Sequence, residues 1–336
     1  MSQTLVNAWY QGHRALVLLK PLSLLYRAIM SCRRWAYQQG YLKSQRFDIP
    51  VIVVGNITAG GTGKTPLTLA IVDYLKQQGY RPAIVSRGYG GQTQYPALVT
   101  EQSTAQQVGD EPLLMFLQSR VPVVVAPKRA EAVAYLQDRQ LADVIVCDDG
   151  LQHYALARDI EIVVIDGTRG LGNGKLLPEG ALREPPSRLN SVDLIVVNGQ
   201  GYTHSPAFQM NLQPSAWQLV GNFLNKESPQ PPQTIHAVAG IGNPERFFKQ
   251  LEQQGFTVIR HAFVDHHQFT AQDLAFDDEL AIVMTAKDAV KCGSFPLTNV
   301  WQVPVIATLS DLFYEQFDQK LAAVRQRKNL ITSLIE

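Results

Sequence analysis

The chain has 336 residues, 46% of them hydrophobic and 18% charged, with a formal net charge of +1. That length and composition suit an ordered globular protein of two domains and exclude a disordered chain, while the near-zero charge gives no overall pull toward nucleic acid. Three widely separated cysteines, Cys32, Cys147 and Cys292, form neither a disulfide framework nor a thiolate metal cluster, so a reducing compartment is expected.

Charge is distributed unevenly. No Asp or Glu precedes Asp48, whereas Arg14, Lys20, Arg27, Arg33, Arg34, Lys43 and Arg46 supply seven cations. Leu22, Leu24, Leu25, Tyr26, Ile29, Met30, Trp35 and Tyr37 are mixed among them. Residues 1–46 therefore read as a segment lying on an anionic membrane surface, with a helix packed on the protein's own core as the plain alternative. The cations interrupt any run of about 20 apolar residues, which argues against a spanning helix.

Ile49 to Val54 is a β-branched run ending in Gly55-Asn56, the pattern of a buried parallel strand entering a turn. Thr58-Ala59-Gly60-Gly61-Thr62-Gly63-Lys64-Thr65 follows, and then a helix over Pro66 to Gln78. Glycines let backbone N–H groups approach phosphate, the helix start favours an anion, Lys64 reaches the outer phosphates of ATP and Thr65 supplies a hydroxyl to Mg²⁺. The loop departs from G-x-x-x-x-G-K-[ST] only at its first position, which is Thr58.

Pro82 to Ser86, Val121 to Ala126, Ala142 to Cys147 and Glu161 to Asp166 are further strands, with a helix over Lys128 to Arg139. The alternation predicts an α/β fold with a parallel sheet covered on both faces. Asp148 and Asp149 stand at the end of one such strand, where open sheets bind ligands, and either can hold Mg²⁺. Asp110 and Glu111 lie in a turn before a helical stretch; a helix cap is the bland reading, and a base for an acceptor hydroxyl the functional one. The glycine- and proline-rich stretch from Asp166 to Pro185 reads as a substrate loop or a surface loop.

Beyond it come strands at Leu194 to Asn198, Thr234 to Ala239, Thr257 to Arg260, Ala281 to Met284 and Val303 to Ala307, with helices at Pro244 to Gln254 and Asp311 to Lys328. Gln200 to Pro232 reads as a crossing between lobes, which divides the chain into residues 47–215 and 216–336. His266 and His267 follow a strand in the second lobe without a third metal ligand in sequence, and Lys287 ends another.

The combination resembles the tetraacyldisaccharide 4'-kinase family of lipid A biosynthesis. The resemblance rests on Gly60 to Pro66, Ser86 to Gly90, Gly109 to Pro112, Asp148-Asp149-Gly150-Leu151-Gln152-His153, Gly172 to Pro185, Ala239 to Phe248 and Asp265 to Phe269. It implies a P-loop kinase domain joined through a hinge or β-ribbon to a smaller α/β domain. It further implies transfer of the γ-phosphoryl group of ATP to the 4'-hydroxyl of an acylated glucosamine disaccharide 1-phosphate, giving lipid IVA. The setting would be the cytoplasmic face of the inner membrane of a Gram-negative bacterium, held peripherally or monotopically, with no protein partner required.

By the same resemblance Lys64 neutralises phosphate, Thr65 with Asp148 and Asp149 serves Mg²⁺, Asp149 belongs to the catalytic set, Asp110 is the acceptor base and His266 its support from the second lobe. Arg169, Lys175 and Arg183 are further phosphate-binding choices. Ala286 stands where the family usually has Glu. The competing expectation is a membrane-associated nucleotide-switch ATPase acting on a protein.

Overall fold

The computed structural model describes residues 3–220, 227–265, 267–293, 295 and 298–332. The chain opens with α1 (Gln3–Gln11), a 3₁₀ segment over Arg14–Leu19, and α2 (Lys20–Gln38). It then enters the first sheet through β1 (Val51–Gly55) and turns into α3 (Lys64–Gln77). β2 (Pro82–Ser86), β3 (Ala97–Leu98), α4 (Ala105–Val108), α5 (Asp110–Ser119), β4 (Val123–Val125), α6 (Arg129–Asp138) and β5 (Val144–Asp148) follow. β6 (Ile160–Asp166), β7 (Leu194–Asn198) and β8 (Phe208–Pro214) extend the sheet on the other side.

The second lobe contains β9 (Gln218–Leu219), β10 (Thr234–Ala239), α7 (Pro244–Gln253), β11 (Thr257–Ala262), β12 (Ala281–Thr285), α8 (Ala286–Ala289) and β13 (Val300–Val303). β14 (Val305–Leu309) and α9 (Asp311–Thr332) end the described chain.

The larger sheet runs β14-β8-β7-β6-β1-β5-β2-β4-β3 and the smaller β11-β10-β12-β13-β9. Pairs in the larger sheet are parallel except for the edge strands β14 and β3, and in the smaller one only β9 pairs antiparallel. β1 is the central switch point. After β5 the chain crosses back over β1 to place β6 on its other side, and in open α/β sheets ligands bind outside the carboxyl ends at such a point.

Burial of both faces explains why Val51 to Val54 of β1 are all β-branched. Ile52 and Val54 enter one core with Leu67, Ile71 and Leu75 of α3 and Phe313 and Phe317 of α9, while Val51 and Val53 enter the other with Val133 and Leu136 of α6. A strand buried on both faces needs apolar side chains at every position.

The expected division at residue 216 does not hold to the end of the chain. The run read as one strand, Val303 to Ala307, is split at Pro304, whose ring nitrogen has no proton for a ladder hydrogen bond. Val303 ends a strand of the smaller sheet, and Val305 begins one that pairs with β8 in the larger. α9 then packs Phe313, Phe317, Leu321 and Val324 into the first lobe. The stretch expected to be only a crossing, Gln200 to Pro232, contains β8 and β9. Two antiparallel passages, β8 to β9 and β13 to β14, thus join the lobes side by side, tied by Ser215 N–H donating to the Pro304 carbonyl at 2.8 Å.

Residues Arg14–Gln38 are long and apolar enough to cross a membrane by length and composition, despite the cations that argued against it. One face is nonetheless tied to the protein. Ser23 Oγ donates to the Leu176 carbonyl and accepts from Glu179 N–H, both at 2.9 Å, and Tyr26 Oη donates to the Arg183 carbonyl at 3.0 Å. Val17, Leu18, Leu22, Leu24, Leu25 and Ile29 remain exposed on the other.

Candidate functional site

The Thr58–Thr65 loop leaves β1 at the switch point and ends in α3, so its backbone lies at a helix N-terminus. Gly63 caps α3 with φ of +96°, and a Cβ there would lie 2.6 Å from Asn198 Nδ2. Only glycine meets both demands. Asn198 Nδ2 donates to the Thr62 carbonyl at 3.0 Å, and Asn56 Nδ2 to Thr62 Oγ1 at 3.2 Å and the Gly60 carbonyl at 3.3 Å. The loop is therefore held open by buried amides from β1 and β7 rather than by its own side chains.

A second layer fixes its outer wall. Ala59 N–H donates to the Ala181 carbonyl and Arg183 N–H to the Ile57 carbonyl, both at 2.7 Å, which binds the glycine-rich Asp166–Pro185 stretch to the phosphate loop. Arg169 is paired with Asp166 at 3.0 Å, donates to the Gly61 carbonyl and lies over the Tyr10 ring. Tyr10 Oη donates to the Ala59 carbonyl at 3.3 Å, and Trp9 Nε1 to the Pro178 carbonyl at 2.9 Å. Trp9, Leu16, Ala59 and Ala181 form one apolar cluster. The amino-terminal arm is thus part of the wall of the site, which the reading of residues 1–46 as a membrane segment did not include.

Lys64 Nζ lies 3.7 Å from Asp149 Oδ1, and Arg183 donates to both Asp149 oxygens at 3.2 and 3.3 Å. Burial alone would raise the Asp149 carboxyl, but Lys64, Arg183 and Arg129 outweigh it and hold it below the usual carboxylate range. Asp148, the last residue of β5, is fully buried and accepts from Thr68 Oγ1 at 3.1 Å. Burial pushes it well above the usual range, the nearby Glu111 carboxylate adds to this, and Lys64 opposes it. Adjacent carboxylates in one turn are driven apart in proton affinity by which cations reach them.

Among the described residues no three of His, Cys, Asp and Glu converge into a metal cage. Mg²⁺ at a nucleotide needs no such cage, since phosphates and water supply most of its ligands beside one or two protein oxygens. A buried carboxylate, Asp148, and a half-buried one, Asp149, next to a phosphate loop ending in Thr65 are a donor set of that chemistry.

The opposite wall lies at the lobe junction, where α5 of the first lobe meets α8 of the second. Asp110 opens α5, is buried, and its Oδ1 accepts from Glu111 N–H at 2.9 Å. Across the lobe junction Lys287 Nζ lies 3.1 Å from Glu111 and 3.7 Å from Asp265, and Lys291 Nζ lies 4.0 Å from Asp110. Burial would lower the Lys287 ammonium, but Glu111, Asp110 and Asp265 outweigh it and raise it.

His266, expected to support Asp110, lies outside the described residues. Its neighbour His267 faces Asp273 at 3.3 Å. Lys175 lies in the loop wall, its backbone carbonyl accepting from Leu182 N–H at 3.0 Å.

The sequence reading did not identify Arg129, Glu111 as a partner of Lys287, or Lys291. Arg129 Nη2 donates to the Asp149 carbonyl at 2.9 Å from a buried position on α6. A buried arginine in the first turn of a helix following a strand was the available signal.

Residues 15–322 match the family model Tetraacyldisaccharide-1-P 4'-kinase. A tetraacyldisaccharide 4'-kinase of Pseudomonas putida (strain W619) is 45% identical over 324 residues, covering 96% of each chain. One of Hahella chejuensis is 46% identical over 331 residues, covering 96% of this chain and 97% of that one. Among solved structures, an LpxK from Aquifex aeolicus in complex with ATP superposes with a TM-score of 0.78 at 28% identity, covering 92% of this chain and 99% of that one.

Proposed function

From the premise that this chain belongs to the tetraacyldisaccharide-1-P 4'-kinase family, we infer that the crevice between β1, α5 and α8 carries out its phosphoryl transfer. The protein is an ATP-dependent kinase that phosphorylates the 4'-hydroxyl of a tetraacyldisaccharide 1-phosphate, forming lipid IVA. The observation that carries the site reading is the opposition of Lys64 and the Asp148–Asp149 pair on one lobe to a second wall, at Asp110, that receives two lysines from the other.

Backbone N–H groups of Thr58, Ala59, Gly60, Gly61, Thr62 and Gly63, with Lys64 and Thr65, hold the ATP phosphates. Lys64 now faces Asp149, and an arriving phosphate would take that ammonium as its own counter-charge. Thr65, Asp148 and Asp149 would hold Mg²⁺, which would supply charge neutralisation at the phosphates. Asp110 orients the acceptor hydroxyl and takes its proton, with His266 as its support from the second lobe. Placing this base at the junction of two lobes couples it to closure, which excludes water that would otherwise hydrolyse ATP.

The arm places the site at its substrate. Exposed Leu18, Leu22, Leu25 and Ile29 enter the lipid boundary while Lys20, Arg27, Arg33 and Arg34 meet anionic headgroups, giving peripheral or monotopic attachment at the cytoplasmic face of the inner membrane.

The test incubates purified protein, Mg²⁺ and γ-labelled ATP with detergent-dispersed tetraacyl disaccharide 1-phosphate. Magnesium-dependent label at the 4' position is expected. ATP hydrolysis stimulated only by a protein, with no labelled lipid, would overturn the reading. Asp110→Ala is expected to lower transfer by about 10² or more, the usual size of general-base loss, with ATP binding nearly intact; unchanged turnover would remove Asp110 from its role.

A further inference from the structure

Lys291 is among the least exposed charged groups of the second lobe, with 3% of its side chain accessible. Its Nζ lies 2.8 Å from Asp288 Oδ1, donates to the His267 carbonyl at 3.2 Å and sits 5.3 Å from the Phe269 ring centroid. Asp288 is itself fully buried, and its other oxygen accepts from Gly240 N–H at 2.9 Å and Thr285 Oγ1 at 2.7 Å. The ammonium is therefore fixed in place before it meets the other lobe. An ammonium has three hydrogens, and Asp288 and the His267 carbonyl take two.

We propose that Lys291 is a positioning residue for phosphoryl transfer, carried by the second lobe to Asp110 so that the acceptor base is held as a carboxylate when the lobes are together. This rests on Asp110 being that base. The geometry is a 4.0 Å approach between two buried groups on elements that touch, α5 and the segment after α8. Among the described residues, the charged groups around this junction include Glu111 on the helix of Asp110, Lys287 and Lys291 from the α8 region, Asp265 and Asp288 paired with those lysines, and Asp148 beyond Glu111 at the end of β5. At such distance a cation favours the ionised form of a carboxylic acid.

The same arrangement makes His267 and Phe269 part of the clamp on Lys291 rather than direct participants. The backbone carbonyl of His267 and the face of Phe269 hold the ammonium, which gives these two residues a role in placing charge.

The experiment measures kcat/KM against pH with saturating Mg-ATP for wild type, Lys291→Arg and the double variant Asp288→Asn/Lys291→Met. The double variant removes the buried pair together and so leaves no orphaned charge to unfold the lobe. Asp288, whose charge opposes that of Lys291 at Asp110, leaves with it, so the acid limb is expected to move up by about half a pH unit, with KM for ATP unchanged, while Lys291→Arg keeps the limb near that of wild type. An acid limb superimposable on wild type in the folded double variant would overturn the proposal, whatever happens to the maximum rate. Failure of the underlying reading looks different: Asp110→Ala would then turn over normally, whereas failure of this inference alone leaves Asp110→Ala inactive and the limb unmoved.

Discussion

The phosphate-loop end of the site and the lobe junction are built in different ways. The loop is surrounded by buried neutral contacts: amides of Asn56 and Asn198, backbone pairs to Ile57 and Ala59, and the Trp9–Leu16–Ala59–Ala181 cluster. The junction is held by charges, with Lys287 and Lys291 of one lobe against Glu111 and Asp110 of the other. Neutral buried contacts do not weaken in salt and give a fixed cradle, while a partly exposed ion pair such as Lys287–Glu111 is individually weak and readily broken. A kinase of this kind needs both, one wall that never moves and one that lets substrate in and product out.

The sharpest test of the fixed wall is Lys64→Met, which leaves the cradle and removes its one charge aimed at phosphate. Turnover is expected to fall by about 10³, as for loss of a principal charge-stabilising donor, with thermal stability nearly unchanged. A large loss of stability instead would mean that the Lys64–Asp149 pair is part of the scaffold.

Trp9→Ala asks whether the arm belongs to that wall. Trp9 is 1% exposed, and emptying its site should cost about 3 kcal/mol of stability, with a raised KM for ATP because Ala59 loses its backing. Denaturant unfolding and ATP titration read both effects. A stability loss with ATP affinity intact would separate the arm from the loop.

What was legible in the sequence follows the same contrast. The Thr58–Thr65 loop, the Asp148–Asp149 pair and the strands around them are contiguous stretches whose chemistry is local, and the larger sheet places them together. Asp110 was singled out by its turn, but its partners were not, because Lys287 and Glu111 are 176 positions apart and neither has a motif of its own. The last strand was misassigned because a β-branched run reads as one strand until its proline is weighed. Trp9 and Tyr10 escaped because an amphipathic arm has an inward face that composition alone does not distinguish from the lipid-facing one.

Lys287→Met probes the movable wall with a smaller effect. The pair to Glu111 is partly exposed, 21% and 37%, so its loss should weaken closure by about 0.2–1 kcal/mol, a change of at most about fivefold. Turnover of the wild type should then fall more steeply with added KCl than that of the variant. Equal salt dependence would show that the junction, like the phosphate end, is held by other contacts.

A last effect concerns pH, and it arises at the phosphate end rather than at the charged junction. His153 follows the acidic pair, its Nε2 is buried without a hydrogen-bond partner among the described residues, and its carbonyl accepts from Arg158 at 2.7 Å. Burial, with Arg129 and Arg158 next, pushes its imidazole down to about 4 from an ordinary value near 6.5. The unfolded chain therefore binds a proton between those values that the folded protein refuses. Stability from this group is complete above about 6.5 and is lost as pH falls toward about 4. His153→Gln, which cannot be protonated, should flatten the decline of Tm across that window while leaving Tm near pH 8 little changed. An identical acid decline in the variant would move the sensitivity away from the phosphate end and onto the ion pairs that join the lobes.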